Sequence, residues 1–224
     1  MTKSRIALAV GLFAVAGAAN AEFTLTPAIT TDYDFRGLTQ SNKKGEFQLG
    51  LNNTFGDSGV YLGAWGSQID YGKTSDAIWE LDVIAGKTFG DASKGVAYDV
   101  GVIYYSYPGA DSVKDLYELY AGVSSGMFSG KLSYAPDNNN QSAFYAEGAV
   151  AIPLSSSLKL GVHAGYSFGQ AWSHNNYTDY SVGFTKTLGK FDFNLKYVNS
   201  NELKPASAGR NAWIGTVSTV LPWK

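Results

Sequence analysis

Residues 158–168, LKLGVHAGYSF, and 177–199, YTDYSVGFTKTLGKFDFNLKYVN, alternate apolar and polar side chains. In the first stretch Leu158, Leu160, Val162, Ala164, Tyr166 and Phe168 share one parity, and Lys159, Gly161, His163, Gly165 and Ser167 the other. In the second, Tyr180, Val182 and Phe184 oppose Asp179, Ser181 and Thr185. After a tight reversal at Leu188-Gly189-Lys190, Phe191, Phe193, Leu195 and Tyr197 oppose Asp192, Asn194 and Lys196. A period of two is the period of a strand, so these segments form a sheet with one apolar and one polar face. A soluble sandwich buries the apolar face against a second sheet. A membrane barrel turns it to lipid and keeps the polar face around a lumen.

The same pattern extends outward over the chain. It predicts strands at 23–36, 45–56, 59–69, 77–89, 95–107, 114–125, 127–135, 141–152, 157–168, 176–188, 190–199 and 210–222. Most match the roughly 9–11 residues that cross a membrane at a steep tilt. Tight connections (56–59, 90–94, 125–126, 155–156, 189) alternate with longer polar ones (38–44, 70–76, 108–113, 136–140, 169–175, 200–209). That rhythm belongs to outer-membrane barrels, with short periplasmic turns and long external loops. The expected fold is an all-β, transmembrane, antiparallel up-and-down β-barrel of about twelve strands. An even strand count puts both termini on the periplasmic side.

The first residues carry an export address. Lys3 and Arg5 precede an apolar run over 6–17, and Ala19-Asn20-Ala21 fits a small-residue cleavage site. A signal peptide is expected over 1–21, with the barrel over 22–224. The run is too short for a helical membrane anchor. The chain contains no Cys, which favours a large, continuously hydrogen-bonded structure over a disulfide scaffold. Its net charge of −2 becomes −4 once Lys3 and Arg5 are removed, and no basic run suggests nucleic acid.

Aromatic residues collect at both strand ends, as interfacial girdles require. Phe23, Phe55, Phe89, Phe128, Phe191 and Trp223 lie near tight turns. Phe35, Phe47, Trp79, Tyr117, Tyr134, Phe144, Phe168, Tyr180, Tyr197 and Trp213 lie near long loops. A few residues fit less well. Lys87 and Lys186 hold apolar-phase positions close to tight turns, from which their stems reach the headgroups. Pro27 removes a ladder donor and predicts a bulge in the first strand. In 59–69 Tyr61 and Trp65 compete with Val60, Leu62 and Ala64 for the lipid side.

The polar parity supplies the functional candidates. Asp32, Asp34, Glu80, Asp82, Asp99, Glu118, Glu147, Asp179 and Asp192 share the expected lumen with Arg36, Lys131, Lys159, Lys196 and His163. Such an acid-leaning lumen concentrates cations and repels anions. The alternative is that these charges pair and plug a barrel far narrower than a sixteen-stranded porin. Tyr105, Tyr120 and Tyr145 are in lumen phase as well, either lining a path or packing the interior. No catalytic site, metal site or cofactor is expected. The histidines are only His163 and His174, there are no thiolates, and no phosphate-binding glycine loop is present. Asp137-Asn138-Asn139-Asn140 lacks the later bidentate Glu of a calcium loop.

The segment Thr31-Asp32-Tyr33-Asp34-Phe35-Arg36-Gly37-Leu38-Thr39-Gln40-Ser41 resembles the opening of the TorF porin family, proteobacterial outer-membrane proteins long catalogued as conserved hypotheticals. Val60-Tyr61-Leu62-Gly63-Ala64-Trp65-Gly66-Ser67 resembles its second recurrent block, and Lys224 after Trp223 is a mild departure. The resemblance implies an outer-membrane barrel with a transport role. On the strand pattern, Tyr33 and Phe35 belong to the outer girdle. Asp32, Asp34 and Arg36 then point inward near the mouth, and Gly37 releases the chain into the first loop. The expected function is passive diffusion of small hydrophilic solutes through the outer membrane. The alternatives are a non-conducting structural or adhesion barrel and, behind it, a lipid-modifying enzyme. Expected partners are outer-membrane lipid and lipopolysaccharide, the barrel-assembly machinery that reads an aromatic-ended last strand, and the solute.

Overall fold

Period-two segments closed by tight turns leave each strand one partner on either side, and the chain closes on itself. In the computed structural model the described residues are 22–201 and 211–223, apart from His174 and the side chains of Glu22 and Thr74. The expected signal peptide lies outside them. The strands are β1 (Glu22–Thr30), β2 (Asp34–Phe35), β3 (Leu38–Thr39), β4 (Glu46–Thr54), β5 (Val60–Gln68), β6 (Trp79–Gly90) and β7 (Ala97–Ser106). Then follow β8 (Leu116–Ser125), β9 (Phe128–Ala135), β10 (Ala143–Ser155), β11 (Leu158–Phe168), β12 (Tyr177–Leu188), β13 (Phe191–Ser200) and β14 (Asn211–Thr219). Twelve of them, β1 and β4 to β14, form a closed antiparallel barrel in which sequence neighbours pair and β14 meets β1.

Register carries the alternation around the wall. Val162 pairs with Val182, Val182 with Tyr197 and Tyr197 with Trp213, one row facing outward. Leu81, Val83, Leu119, Leu132, Phe184 and Leu195 are exposed on that outer face, whereas Glu80, Glu118, Ser133 and Asp179 are buried inside. An exposed aliphatic band around a polar interior is the inverse of a soluble domain and suits a hydrocarbon surround. No helix is long and apolar enough to cross a membrane among the described residues. Tyr61, Trp65 and Ser67 turn inward while Val60 and Leu62 face out, which resolves the competition in that segment. The tight turns use left-handed residues; Gly189, at φ 62°, closes β12 onto β13 where a side chain would strain the backbone. Lys186 reaches that end of the barrel and donates from Nζ to Ser157 Oγ at 2.8 Å.

Two expectations for β1 are corrected. The strand ends at Thr30, not at residue 36. Pro27 produces no bulge: β1 pairs with β4 without a shift from Glu22↔Thr54 to Thr30↔Glu46. The proline acts on the other edge. Leu25 donates its N–H to Leu221 O at 3.0 Å and Thr31 to Gly215 O at 2.9 Å, so odd residues of this strand point their amides at β14. Pro27 shares that parity and has no N–H to give. The bulge in the barrel lies elsewhere, between Pro153 and Ser155 at the end of β10.

A closed ladder of this kind resists detergent. The protein extracted unboiled in SDS is expected to migrate as a compact band that shifts on heating, and a band indifferent to boiling contradicts the closed barrel. Pro27→Val restores one seam donor, worth about 1 kcal/mol. It is expected to raise the temperature of band conversion by about 2–4 °C.

Candidate functional site

Beyond Thr30 the chain turns into the barrel. Residues 31–45 form a small hairpin, with Asp34 paired to Thr39 and Phe35 to Leu38, separate from the barrel sheet. Asp32 clamps it: Oδ1 accepts from Thr39 Oγ1 at 2.7 Å and from Ser41 Oγ at 2.9 Å. The Tyr33 amide donates to Ser41 Oγ at 2.9 Å, and the Gln40 amide to Tyr33 O at 2.8 Å. The hairpin is thus a folded unit of its own.

It is fastened to the walls on opposite sides. Tyr33 donates to Glu80 Oε1 on β6 at 2.8 Å and packs edge-on against Trp65 of β5, ring centroids 5.1 Å apart. Phe35 meets Tyr105 of β7 edge-on at 6.1 Å. Arg36 Nη2 donates to both carboxylate oxygens of Glu118 on β8, at 2.7 and 2.8 Å. Its guanidinium also lies over the faces of Phe35 at 4.6 Å and Tyr145 at 4.2 Å. Across the lumen Lys196 of β13 pairs with Asp34 at 2.9 Å, and Ser200 Oγ donates to Gly37 O at 2.9 Å. Gly37 has φ 76°, and a Cβ there would stand 2.5 Å from Asp179 Cβ and 2.8 Å from Ser200 Cβ. Only glycine tolerates both the conformation and the approach.

This overturns one expectation. Tyr33 and Phe35 do not join the outer girdle: Tyr33 is buried inside, and Phe35 packs against the lumenal aromatic cluster of Tyr61, Trp65, Tyr105 and Tyr120. Nor does Gly37 release an external loop, since it sits at the turn of the inward hairpin. The reason is that β5 to β8 present Trp65, Ile84, Ile103 and Tyr105 inward, an apolar wall that needs a cover. The remaining girdle aromatics do face outward, among them Phe23, Phe47, Trp79, Tyr117, Phe128, Tyr180, Trp213 and Trp223. Tyr134, Phe144 and Phe168 stack in a row on that face, with centroids 4.6 and 5.2 Å apart.

The other lumenal candidates sort by level. Near the hairpin, Lys131 pairs with Glu147 at 2.8 Å, and His163 Nε2 lies 3.1 Å from the same carboxylate. His163 Nδ1 is 3.5 Å from Asp179, whose carboxylate also accepts from Tyr145 Oη at 3.1 Å. Asp99 accepts from Tyr61 Oη at 2.9 Å, and Tyr61 and Tyr120 join their hydroxyls. Toward the short-turn end Asp192 accepts from Thr187 at 2.6 Å, and Lys159 is half-buried. Asp82 differs from all of these: it is only 8% exposed, and its buried Oδ1 has no hydrogen-bond partner among the described residues. Glu46 was missed by sequence reasoning. It is buried and accepts from Ser67 at 2.5 Å and Gln48 at 2.7 Å. The shared parity of Glu46, Gln48, Asn52 and Thr54 was the available signal. His174, expected in a loop, lies outside the described residues.

The lumen is therefore filled at one level and wider below it. Glu46, Ser67, Glu80, Glu118, Tyr177 and Ser200 are buried around the hairpin, while Asn52, Thr54, Lys159, Thr185 and Asn194 in the short-turn half are only half-buried. At the long-loop rim Asp76 ties two loops together. It accepts from the Asp111 amide at 3.0 Å, the Ser112 amide at 3.1 Å and Ser112 Oγ at 2.5 Å.

Against known proteins, the family described as "Bacterial protein of unknown function (Gcw_chp)" matches residues 14–220. The chain belongs to the Gcw_chp family. No curated protein matches it. Among solved structures it is similar to the KdgM porin, at 12% identity and TM-score 0.57, over 90% of this chain and 99% of that one. Another KdgM structure is described as a complex with disordered oligogalacturonate. The NanC porin is similar at 8% identity and TM-score 0.57, over 89% and 98% of the two chains. An outer membrane channel from Pseudomonas putida F1 is similar at 11% identity and TM-score 0.53, over 92% and 96%. At these identities the likeness is one of fold.

Two outcomes are expected. Removing Arg36 strands the Glu118 carboxylate, 3% exposed, in the lumen wall, a loss of about 3–5 kcal/mol. Arg36→Ala is expected to speed hydrogen exchange of the amides in 31–45 while the heat-shifted band shows the barrel intact. The second concerns the rim. Hydrogen bonds from Ser112 and the Asp111 amide hold the Asp76 carboxyl down from 3.8 to about 2. A depressed pKa stabilises above the ordinary value, and that contribution is lost as pH falls from 3.8 toward 2. The protection factors of the Asp111 and Ser112 amides, corrected for the intrinsic pH dependence of exchange, are expected to fall over that window in the wild type and to be low already at neutral pH in Asp76→Ala.

Proposed function

We propose that this barrel is a channel of the bacterial outer membrane for small hydrophilic solutes, that it favours cations, and that the lumenal hairpin forms its constriction. The observation carrying this reading is the chemistry of the interior. Among the described residues, Glu46 and Glu80 are held by hydroxyl or amide donors rather than by Lys or Arg, and Asp82 Oδ1 has no hydrogen-bond partner. Burying carboxylates without counter-charge is costly, and a barrel serving only as an anchor has no use for them. A lumen biased this way attracts cations and rejects anions. The shared fold with porins and an outer membrane channel, and the resemblance to TorF proteins, support transport. KdgM is described with an oligogalacturonate, a polyanion; the solute proposed here is of opposite or no charge.

Lipopolysaccharide and phospholipid then surround the outer face, and the assembly machinery inserts the barrel from the periplasm. In planar bilayers, conductance steps are expected with a reversal potential that favours cations. Glu80→Gln with Asp82→Asn is expected to move the permeability ratio toward unity. An anion preference, or no steps from either the wild type or Arg36→Ala, defeats the reading.

A further inference from the structure

The cation that the hairpin inserts into the wall is a guanidinium, and the pocket receiving it has the features of a ligand site. Glu118 is buried and engages Nη2 of Arg36 through both oxygens, at 2.7 and 2.8 Å. Tyr145 offers its ring face at 4.2 Å, and Tyr105 Oη lies 3.5 Å from the same carboxylate. A deeply buried carboxylate under an aromatic face selects planar or methylated cations by charge and by π attraction. We propose that this cage is a binding site for guanidinium and ammonium solutes, which replace Arg36 and release the hairpin from the constriction. The inference rests on the channel reading and names the class of solute that opens it.

Three features support exchange rather than a permanent lock. The hairpin shares no ladder with the barrel, so its release costs the side-chain bonds to Glu80, Glu118 and Lys196 and the Gly37–Ser200 bond but leaves the pairing of the twelve barrel strands in place. Arg36 itself sits at φ 53°, a left-handed conformation that a side-chain-bearing residue holds at a cost, and departure relieves it. Finally, Glu118 and Glu80 are electrostatic neighbours of Asp82, whose Oδ1 has no hydrogen-bond partner among the described residues. Withdrawing Arg36 with nothing in its place leaves that cluster without its cation, which is prohibitive in a buried setting. A neutral or anionic solute cannot make up the loss, whereas a cationic one can. The plug thus opens to the charge class that the lumen conducts.

The test uses the absence of native cysteine. Leu38, half-buried at the hairpin turn and outside its side-chain clamp, is replaced in Leu38→Cys, and alkylation by a water-soluble maleimide is followed in the reconstituted barrel. The tethered Arg36 competes at an effective concentration of millimolar or more, so about 50 mM methylguanidinium is the working range. The alkylation rate is expected to rise about fivefold or more over equal NaCl, and urea, the neutral analogue of the same shape, is expected to do nothing. With Arg36→Ala added, alkylation is expected to be fast in every solution, the heat-shifted band showing that the barrel is intact. An equal rise in NaCl, no rise in methylguanidinium, or slow alkylation in the Arg36→Ala background overturns the site. Conductance steps alongside an unresponsive thiol keep the channel and discard the cage. A responsive thiol in a barrel that never conducts keeps the cage and discards the channel.

Discussion

In hydrocarbon every backbone amide must find a partner within the protein, and the closed ladder of twelve strands is how this chain meets that demand. Closure fixes the wall before any lumenal chemistry is considered. It sets which parity of each strand meets lipid and which meets the interior. It also dictates a central space too wide for strand side chains alone to fill at every level. The ladder is thinnest at its own closure, where Pro27 withholds a donor and the pairing of Ala28, Ile29 and Thr30 with β14 is joined only by the Leu25–Leu221 bridge among the described residues.

The interior answers that space in two ways. On the side of β5 to β8, Tyr61, Trp65, Ile84, Ile103 and Tyr105 build an apolar and aromatic lining. On the side of β11 to β14, Ser167, Asp179, Lys196 and Ser200 set polar groups beside buried Tyr177, Val198 and Ile214. The hairpin spans the difference. Tyr33 and Phe35 lie against the aromatic side, while Asp34 and the Gly37 carbonyl engage Lys196 and Ser200 opposite. Arg36–Glu118 and Lys196–Asp34 run in opposite senses, one with the base on the hairpin and the other with the base on the wall. The plug is held from both sides by pairs that each need their partner.

Much of the wall was legible in the sequence because strand parity is a local property. Glu80, Asp82, Glu118, Glu147, Lys131, His163, Asp179 and Lys196 all lie on the lumenal face that alternation assigns them. The hairpin was not legible, because Asp32-Tyr33-Asp34-Phe35-Arg36 keeps perfect alternation after the strand has left the sheet. Periodicity reports which residues share a face and not which face the fold then covers. One hint was length: the expected strand over 23–36 runs longer than the neighbour expected over 45–56. The same limit hid the pairing of Arg36 with Glu118, residues 82 positions apart that only the closed ring brings together.

The hairpin joins two adjacent strands by a single excursion of chain, and this separates two demands that evolution usually has to satisfy together. Changes in 31–45 alter what occupies the lumen while leaving the outer band and the barrel ladder in place. A lineage with this architecture can change what its lumen holds by editing one short insert, keeping the barrel frame as an inherited constant.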